Sequence, residues 1–165
     1  MIDIKKIYES VVSGCTYDLA KASQHTNALY LTGNVTAAEM PEIEAAFVAE
    51  NHVGCCLHYG MTLFYRLRLL GIECYISMTK EENHVTHEKT DNHVSVCYVQ
   101  NGHKFIADPV ETVKTHGEKC FYDIPIEEFL AQQGTIRIYD PYGEHGGELF
   151  FEEFLAHPIE VLEVP

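Results

Sequence analysis

The sequence, 165 residues long, predicts an α+β fold in which amino-terminal helices pack on a mostly antiparallel sheet. Three observations support this prediction. Apolar residues recur at helical spacing as far as Leu70, and after Gly71 the pattern changes to short runs that are typical of strands. Asn101-Gly102 joins two of those runs and is a strong signal for a two-residue hairpin turn.

The first third of the chain contains the patterns of three helices. Residues 3–12 carry apolar side chains at helical spacing, and a second helix is expected to start after the capping residue Asp18. Thr36-Ala-Ala-Glu39 is a capping-box pattern that starts a third helix, which is expected to end near Asn51. We expect these helices, over residues 1–53, to form a buttress for the rest of the chain.

The middle of the chain is expected to contain one more helix and the first strands. Residues 54–71, GCCLHYGMTLFYRLRLLG, have helical spacing and place cysteine at the start of a helix. Residues 72–78 predict a strand, whereas the polar and charged run 80–91 predicts a loop. Residues 93–99 and 103–108 predict the two strands of the hairpin.

The whole chain is predicted to be a single domain, residues 1–165. Residues 54–110 are expected to form the core that carries the chemistry, and residues 111–165 to complete the sheet. The elements expected in this last part, in order, are an irregular excursion (110–119), a short helix opened by Asp123-Ile-Pro125, a strand (135–139), the turn Asp140-Pro-Tyr-Gly143, a short helix (152–155) and an edge strand (159–164).

The composition argues against several kinds of partner. A net charge of −14 disfavours nucleic acid and anionic membrane surfaces, because both bind clustered lysine and arginine. No apolar run is long enough to span a membrane, and the amino-terminal segment lacks the features of a signal peptide. The six cysteines contain no C-x-x-C pair, so we expect free thiols in a reducing, cytoplasmic environment. The oligomeric state is left open.

Cys56 is the residue around which the predicted chemistry is organised. It lies at the expected start of a helix, where backbone amides without an intrahelical partner favour an anion and therefore a thiolate. Cys55 precedes it and points about 100° away around the helix. Cys56 is the predicted nucleophile, and Cys55 is the alternative.

The hairpin allows the positions of two further residues to be counted. A two-residue turn pairs Gln100 with His103, and counting back from that pair places Ser95 opposite Asp108. Because side chains alternate between the two faces of a strand, His93 and Asp108 share a face as diagonal neighbours, within reach of each other.

These residues predict a catalytic triad. In this interpretation Cys56 attacks an acyl carbon, His93 is the base, and Asp108 holds the imidazole in one orientation. The backbone amide of Cys56 is an expected oxyanion donor, and Asn51 or His52 is a candidate for the second donor. The prediction is acyl transfer or amide hydrolysis through a thioester, with a peptide, protein or amide as substrate. The alternative is a binding or scaffold module without catalysis.

The ten histidines raise the question of a metal site. His84, His87 and His93 lie close together in the sequence, and His116 lies four residues before Cys120. A zinc site needs ligands at recognisable close spacing on defined elements, and these residues do not have that spacing. We therefore expect no metal and no cofactor.

Four motifs follow one another along the chain: Gly54-Cys55-Cys56-Leu57-His58-Tyr59-Gly60, Leu69-Leu70-Gly71-Ile72, Asn92-His93-Val94-Ser95-Val96 and Phe105-Ile106-Ala107-Asp108-Pro109. In this order they resemble the core of the transglutaminase-like family, which belongs to the papain-like cysteine enzymes. The resemblance covers residues 54–110. It implies that Cys56, His93 and Asp108 act as nucleophile, base and orienting residue, in a cysteine protease, deamidase or transglutaminase type of reaction.

The chain departs from that family at several positions. It contains no Trp, although an aromatic residue is common after the family's histidine. Gly60 occupies a position where a small Ala is usual, and Val110 one where Thr is frequent. Arylamine N-acetyltransferases share the Cys-His-Asp order, but their Arg-Gly-Gly lead-in is missing here. The chain has no match to a calcium-site region, so the resemblance does not imply calcium-dependent crosslinking.

Overall fold

Helices fill the first part of the chain and an antiparallel sheet follows them, which confirms the predicted α+β fold. The computed structural model describes residues 2–30, 35–82, 89–133 and 136–143, with the backbone alone for residues 30, 79–82, 89–92 and 132–133. The elements in chain order are α1 (Ile4–Val12), β1 (Thr16–Tyr17), α2 (Leu19–Tyr30), a 3-10 turn (Ala37–Glu39), α3 (Met40–Asn51), β2 (Val53–Gly54), α4 (Cys56–Leu69), β3 (Cys74–Glu82), β4 (Lys89–Gln100), β5 (His103–Ala107), α5 (Pro109–Lys114), β6 (Ile124–Pro125), α6 (Ile126–Gln133) and β7 (Arg137–Tyr139).

The three predicted amino-terminal helices are confirmed, and their first turns explain where they begin. The Asp3 carboxylate accepts a first-turn amide of α1 at 3.3 Å, and the Asp18 carboxylate accepts one of α2 at 3.0 Å. Thr36 and Glu39 form the expected capping box ahead of α3. These side chains satisfy amides that have no partner within the helix.

The central element is α4, which contacts α1, α3, α5 and the strands β3 and β4. Residues 57–64 are all buried, so almost the whole circumference of the helix is covered. It lies close to the sheet at Gly60, where an added Cβ would be 2.9 Å from Cγ1 of Val94. Gly71, with φ +75°, follows the helix and provides the predicted stop.

The sheet has the strand order β6-β5-β4-β3-β7, and every neighbouring pair is antiparallel. The β4–β5 ladder pairs Gln100 with His103 and Val96 with Ala107, which confirms the register counted from the hairpin. One face of the sheet joins the main core with α4, and the other forms a smaller cluster with α6. A separate short ladder pairs β1 with β2 in parallel.

The loop predicted for residues 80–91 is wrong at both ends. β3 continues to Glu82 and β4 already begins at Lys89, with Glu81 paired to Asp91. The hydrogen bonds of an antiparallel ladder join backbone groups, so polar residues can extend a hairpin whose register is already set.

The irregular excursion predicted for residues 110–119 is also wrong, because α5 occupies its first part. Asp108 takes the N-cap position and Pro109 the first helical position, where proline is favoured because it has no N–H to leave unpaired. The Asp-Pro pair is thus a helix start in this chain.

The short helix, strand and turn predicted next are confirmed as α6, β7 and a turn in which the Gly143 amide donates to the Asp140 carbonyl at 2.9 Å. The elements predicted at 152–155 and 159–164 lie outside the described residues. All six cysteines are free thiols. Among the helices that the structure describes, none has the length and apolar character needed to cross a bilayer.

Candidate active site

The corner before α4 sets the positions of the two adjacent cysteines. β2 ends at Gly54, and its pairing with β1 ties this corner to the segment that follows α1. A Cβ at Gly54 would lie 2.7 Å from Cβ of His58, so the corner has room for glycine alone. Cys55 then takes the N-cap position of α4, and Cys56 is the first helical residue.

The two cysteines contact different histidines. Cys56 is half-buried, and its thiol lies close enough to the imidazole of His93 for each group to shift the pKa of the other. Cys55 is 1% exposed, and its sulfur lies 3.2 Å from Nδ1 of His58. Of the two thiols, that of Cys56 therefore has both partial exposure and contact with the predicted base.

His93 and Asp108 form a close pair. Nε2 of His93 lies 2.6 Å from Oδ2 of Asp108, and the two residues are 8% and 7% exposed. β5 pairs with β4 only as far as Val96 and Ala107. Beyond that point, the starts of α4 and α5 bring Cys56 and Asp108 to His93. The structure thus brings the three predicted triad residues together.

The Asp108 carboxylate controls the protonation of His93. Burial alone would lower the pKa of His93, but the charge of Asp108, the hydrogen bond to it and the contact with Cys56 raise that pKa well above its ordinary value. The Nε2–H of His93 donates to the Asp108 carboxylate.

The two sulfurs are electrostatically coupled. The pKa of Cys56 is raised well above its ordinary value, first by its hydrogen bond to Cys55 and then by burial, while the contact with His93 lowers it. The pKa of Cys55 is lowered, first by the same hydrogen bond and then, against burial, by the amides of Leu57 and His58. The helix amides therefore act on Cys55 rather than on Cys56, in contrast to the expectation from the sequence, because the N-cap side chain is the one they reach.

The two candidate oxyanion donors lie elsewhere in this geometry. The side-chain amide of Asn51 donates to the carbonyl of Phe47 within α3 at 3.0 Å. His52 is exposed, with φ 56°, and lines a cavity of about 600 Å³ between α1, α3 and α4. Neither side chain has a described contact with Cys56, and their role as oxyanion donors stays a prediction.

Tyr8 hydrogen-bonds to the backbone of Asp108. Sequence reasoning did not find this contact. The Tyr8 hydroxyl donates to the carbonyl of Asp108 at 2.8 Å and hydrogen-bonds to Thr112 at 2.5 Å. The Asp108 amide in turn donates to the carbonyl of Phe121 at 2.7 Å. The apolar spacing of α1 indicates that Tyr8 is buried, but no sequence signal connects it with a residue 100 positions later.

Glu111 is a second carboxylate near the His93–Asp108 pair. It lies in the first turn of α5 and is half-buried. One ligand atom from each of His93, Asp108 and Glu111 lies within 4.8 Å of the others, so these side chains have the donor types and spacing of a possible cation site. Sequence reasoning missed Glu111, because the helix that carries it was not predicted.

Comparisons with known proteins give weak similarities. No protein-family model and no curated protein sequence matches the chain. Among solved structures, an arylamine N-acetyltransferase from Bacillus cereus with a Cys-His-Glu catalytic triad has a TM-score of 0.40 and 15% identity, over 69% of this chain and 49% of that one. A candidate cysteine protease from Cytophaga hutchinsonii has a TM-score of 0.44 and 16% identity, over 82% of this chain and 39% of that one.

The chain therefore spans about half the length of the first of these proteins and about two fifths of the second. Similarities at this level are not evidence for a shared activity. The chemistry of this chain depends on its own side chains.

Proposed function

We propose that this protein catalyses thiol-dependent acyl transfer or amide hydrolysis, with Cys56 as nucleophile, His93 as acid and base, and Asp108 as the residue that orients His93. The observation that carries the proposal is the 2.6 Å contact between Asp108 Oδ2 and His93 Nε2. Interaction of the same imidazole with the Cys56 thiol supports it, because it raises the pKa of His93 and lowers that of Cys56. This is the nucleophile–base–orienter arrangement that cysteine enzymes require.

The coupled sulfurs suggest how the nucleophile is activated. The two adjacent thiols titrate as a coupled pair, so one proton taken up by His93 leaves one negative charge shared between them. Contact with the imidazolium favours the state in which Cys56 carries that charge.

The subsequent steps follow from the positions of the groups. The Cys56 thiolate attacks the carbonyl carbon of a peptide, protein or amide substrate, and the backbone amide of Cys56 is free to donate to the oxyanion. The carbon–nitrogen bond then breaks, and His93 gives its proton to the leaving amine. Water or a second amine attacks the resulting thioester, which gives hydrolysis, deamidation or transfer.

Kinship with the transglutaminase-like family is part of the proposal. It rests on the order of motifs over residues 54–110 and on the α+β arrangement in which a cysteine begins the central helix. Hydrolysis, deamidation and amine transfer share every step as far as the thioester, so the geometry of the triad supports all three. We also propose that the protein is cytoplasmic and that residues 1–165 form a single domain.

Alkylation of the wild-type protein with iodoacetamide tests the proposal, with peptide mapping by mass spectrometry over a range of pH. Cys120 is exposed and serves as an internal reference in the same sample. We expect Cys56 to be alkylated faster than Cys120 below the ordinary cysteine pKa of about 8.5, and His93→Ala to remove that advantage. If Cys56 follows the profile of Cys120 and ignores the His93 substitution, the chain is a binding module and the proposal is wrong.

A further inference from the structure

A second cluster of titratable side chains lies behind the cysteine corner. The helices α2, α3 and α4 contribute one side chain each, His25, Glu44 and His58, which we call the His–Glu–His cluster. Nε2 of His25 lies 3.1 Å from Oε1 of Glu44, and Nε2 of His58 lies 3.0 Å from Oε2. One ligand atom from each residue lies within 4.8 Å of the others. No spacing rule indicates this cluster from the sequence, because its members lie on three helices.

The cluster combines deep burial with negative charge. The side chains of Glu44 and His58 have no exposed surface, and that of His25 is 17% exposed. A carboxylate removed from water is costly unless positive charge and hydrogen-bond donors surround it. A divalent cation between the three side chains would supply positive charge beside the carboxylate.

The donor set and its spacing suit zinc. Two imidazole nitrogens and one glutamate carboxylate form a known zinc ligand set, which leaves a fourth position open. With bonds of about 2.0–2.2 Å to a tetrahedral ion, neighbouring ligand atoms lie roughly 3.3–3.6 Å apart. In the structure each imidazole contacts a different oxygen of Glu44, at 3.1 and 3.0 Å, so an ion would replace these contacts by its own bonds and move the side chains outward.

Contacts outside the cluster hold both imidazoles in place. The His25 ring stacks on Phe47 with the ring centroids 3.9 Å apart. Nδ1 of His58 accepts the backbone N–H of Cys55 at 3.3 Å and lies 3.2 Å from the Cys55 sulfur. These contacts fix the ring so that Nε2 faces Glu44.

We propose that the His–Glu–His cluster binds one divalent transition-metal ion, with zinc the best match, and that this ion joins α2 and α3 to the first turn of α4. The partial exposure of His25 gives the ion a route of entry. The site is distinct from the His93–Asp108 pair, and the proposal does not depend on the catalytic role of Cys56.

Cobalt(II) is a suitable probe, because its absorption reports the ligand type. We expect the chelator-treated full-length chain to bind one Co²⁺ with the visible bands of a four- or five-coordinate ion, and without an intense sulfur-to-cobalt charge-transfer band. Zn²⁺ should displace the Co²⁺ and raise the midpoint of thermal unfolding. His25→Ala and Glu44→Gln should each weaken Zn²⁺ binding by at least tenfold. His103→Ala, which removes an exposed histidine of β5, is the matched control and should bind as the wild type does.

His25→Ala is the more informative variant, because the His25 side chain is partly exposed and its removal should be compatible with folding. Circular dichroism checks that the variant is folded. A strong charge-transfer band that Cys56→Ser abolishes would place the ion at the cysteines and overturn the proposal. Binding that is unchanged in both His25→Ala and Glu44→Gln would overturn it as well. So would the absence of binding to the wild type, because the cluster would then be a hydrogen-bonded network that holds protons.

Discussion

At the scale of single residues, the distinctive feature is that two adjacent cysteines divide between them the properties expected of one nucleophile. Cys56 has the exposure and the contact with His93, whereas Cys55 receives the helix amides and has the lowered pKa. The position of each follows from the turn at Gly54, which makes Cys55 the N-cap residue. A helix start can stabilise a thiolate without that thiolate being the one that reacts.

Cys55→Ser separates the two roles. Serine is a good N-cap residue, so the helix start is kept, but the anionic sulfur is removed. The largest cause that raises the pKa of Cys56 is then gone, and we expect that pKa to fall. The measurement is the pH dependence of Cys56 alkylation, with Cys56→Ser as the control. If Cys55 is the true nucleophile, Cys55→Ser will abolish thiol-dependent activity instead.

Asp108→Asn tests the orienting carboxylate. Loss of the charge should lower the pKa of His93 toward and below its ordinary value of about 6.5, because burial is then weakly opposed. We expect activity toward an amide or ester substrate to fall about 10²–10⁴-fold. Proton NMR of the His93 ring against pH measures the pKa. An unchanged His93 titration would contradict the role of Asp108.

The His93–Asp108 pair should also make the stability of the protein depend on pH, in a defined direction. The pKa of His93 is raised in the folded protein, so its contribution to stability is fully present below about pH 6.5 and is lost as the pH rises through the folded-state pKa. We expect the free energy of unfolding to show this decline in a Cys56→Ser background and to lose it when Asp108→Asn is added. Urea unfolding at a series of pH values gives the comparison, and parallel curves for the two proteins would contradict it.

At the scale of elements, the site depends on how α1 and α4 meet the sheet. α1 holds the backbone of Asp108 through Tyr8, and α4 carries Cys56 on a helix that touches β4 at Gly60. Neither contact includes a reacting group. Both nevertheless set the distance between the thiol and the His93–Asp108 pair, so each can be tested without altering the triad.

Tyr8→Phe removes only the hydroxyl behind Asp108. The Asp108 carbonyl and Thr112 each lose a buried hydrogen-bond partner, at a cost of about 1–3 kcal/mol. We expect lower stability together with a lower turnover rate, because the backbone that positions the Asp108 carboxylate loses a hydrogen bond. Equilibrium unfolding and steady-state kinetics provide the two readouts. Tyr75→Phe, on a side chain that hydrogen-bonds to Glu73 at the surface, is the control and should leave both nearly unchanged.

Gly60→Ala tests the close approach of α4 to β4. The new methyl group would meet Cγ1 of Val94 at 2.9 Å, so the helix must move away from the sheet. Overpacking of this kind costs about 1–3 kcal/mol and should also displace Cys56 from His93. Val94→Ala in the same chain makes room for the methyl group and should restore part of the loss. Additive effects of the two substitutions in a double-mutant cycle would contradict direct contact.

At the scale of the whole molecule, the net charge of −14 acts on stability and on the choice of substrate. Repulsion among like charges destabilises a folded chain, and a negative field disfavours anionic substrates over neutral or cationic ones. Raising the salt concentration from about 0.01 M to about 1 M shortens the screening length from about 30 Å to about 3 Å. We expect the unfolding midpoint to rise with NaCl and with choline chloride alike, as scanning calorimetry can measure. A midpoint that falls or stays constant would contradict the expectation.

Local signals in the sequence predict much of this molecule. The Asn101-Gly102 turn fixes a register, and that register alone brings His93 toward Asp108. Local signals do not separate a helix start from a turn when both begin with Asp-Pro, and so α5 was not predicted. They also give no information on the contact of Tyr8 with Asp108 or on the His–Glu–His cluster, because those contacts join helices whose packing no local pattern specifies.

The short parallel ladder between β1 and β2 has a consequence for the order of assembly. It joins Thr16 to Val53, immediately before the cysteine corner, so the corner takes shape only when the segment after α1 has docked. We expect a nascent chain to hold both thiols in an unformed bend until then. Deletion of the residues up to Tyr17, which removes β1, should therefore change the reactivity of both thiols while the β4–β5 hairpin keeps its register.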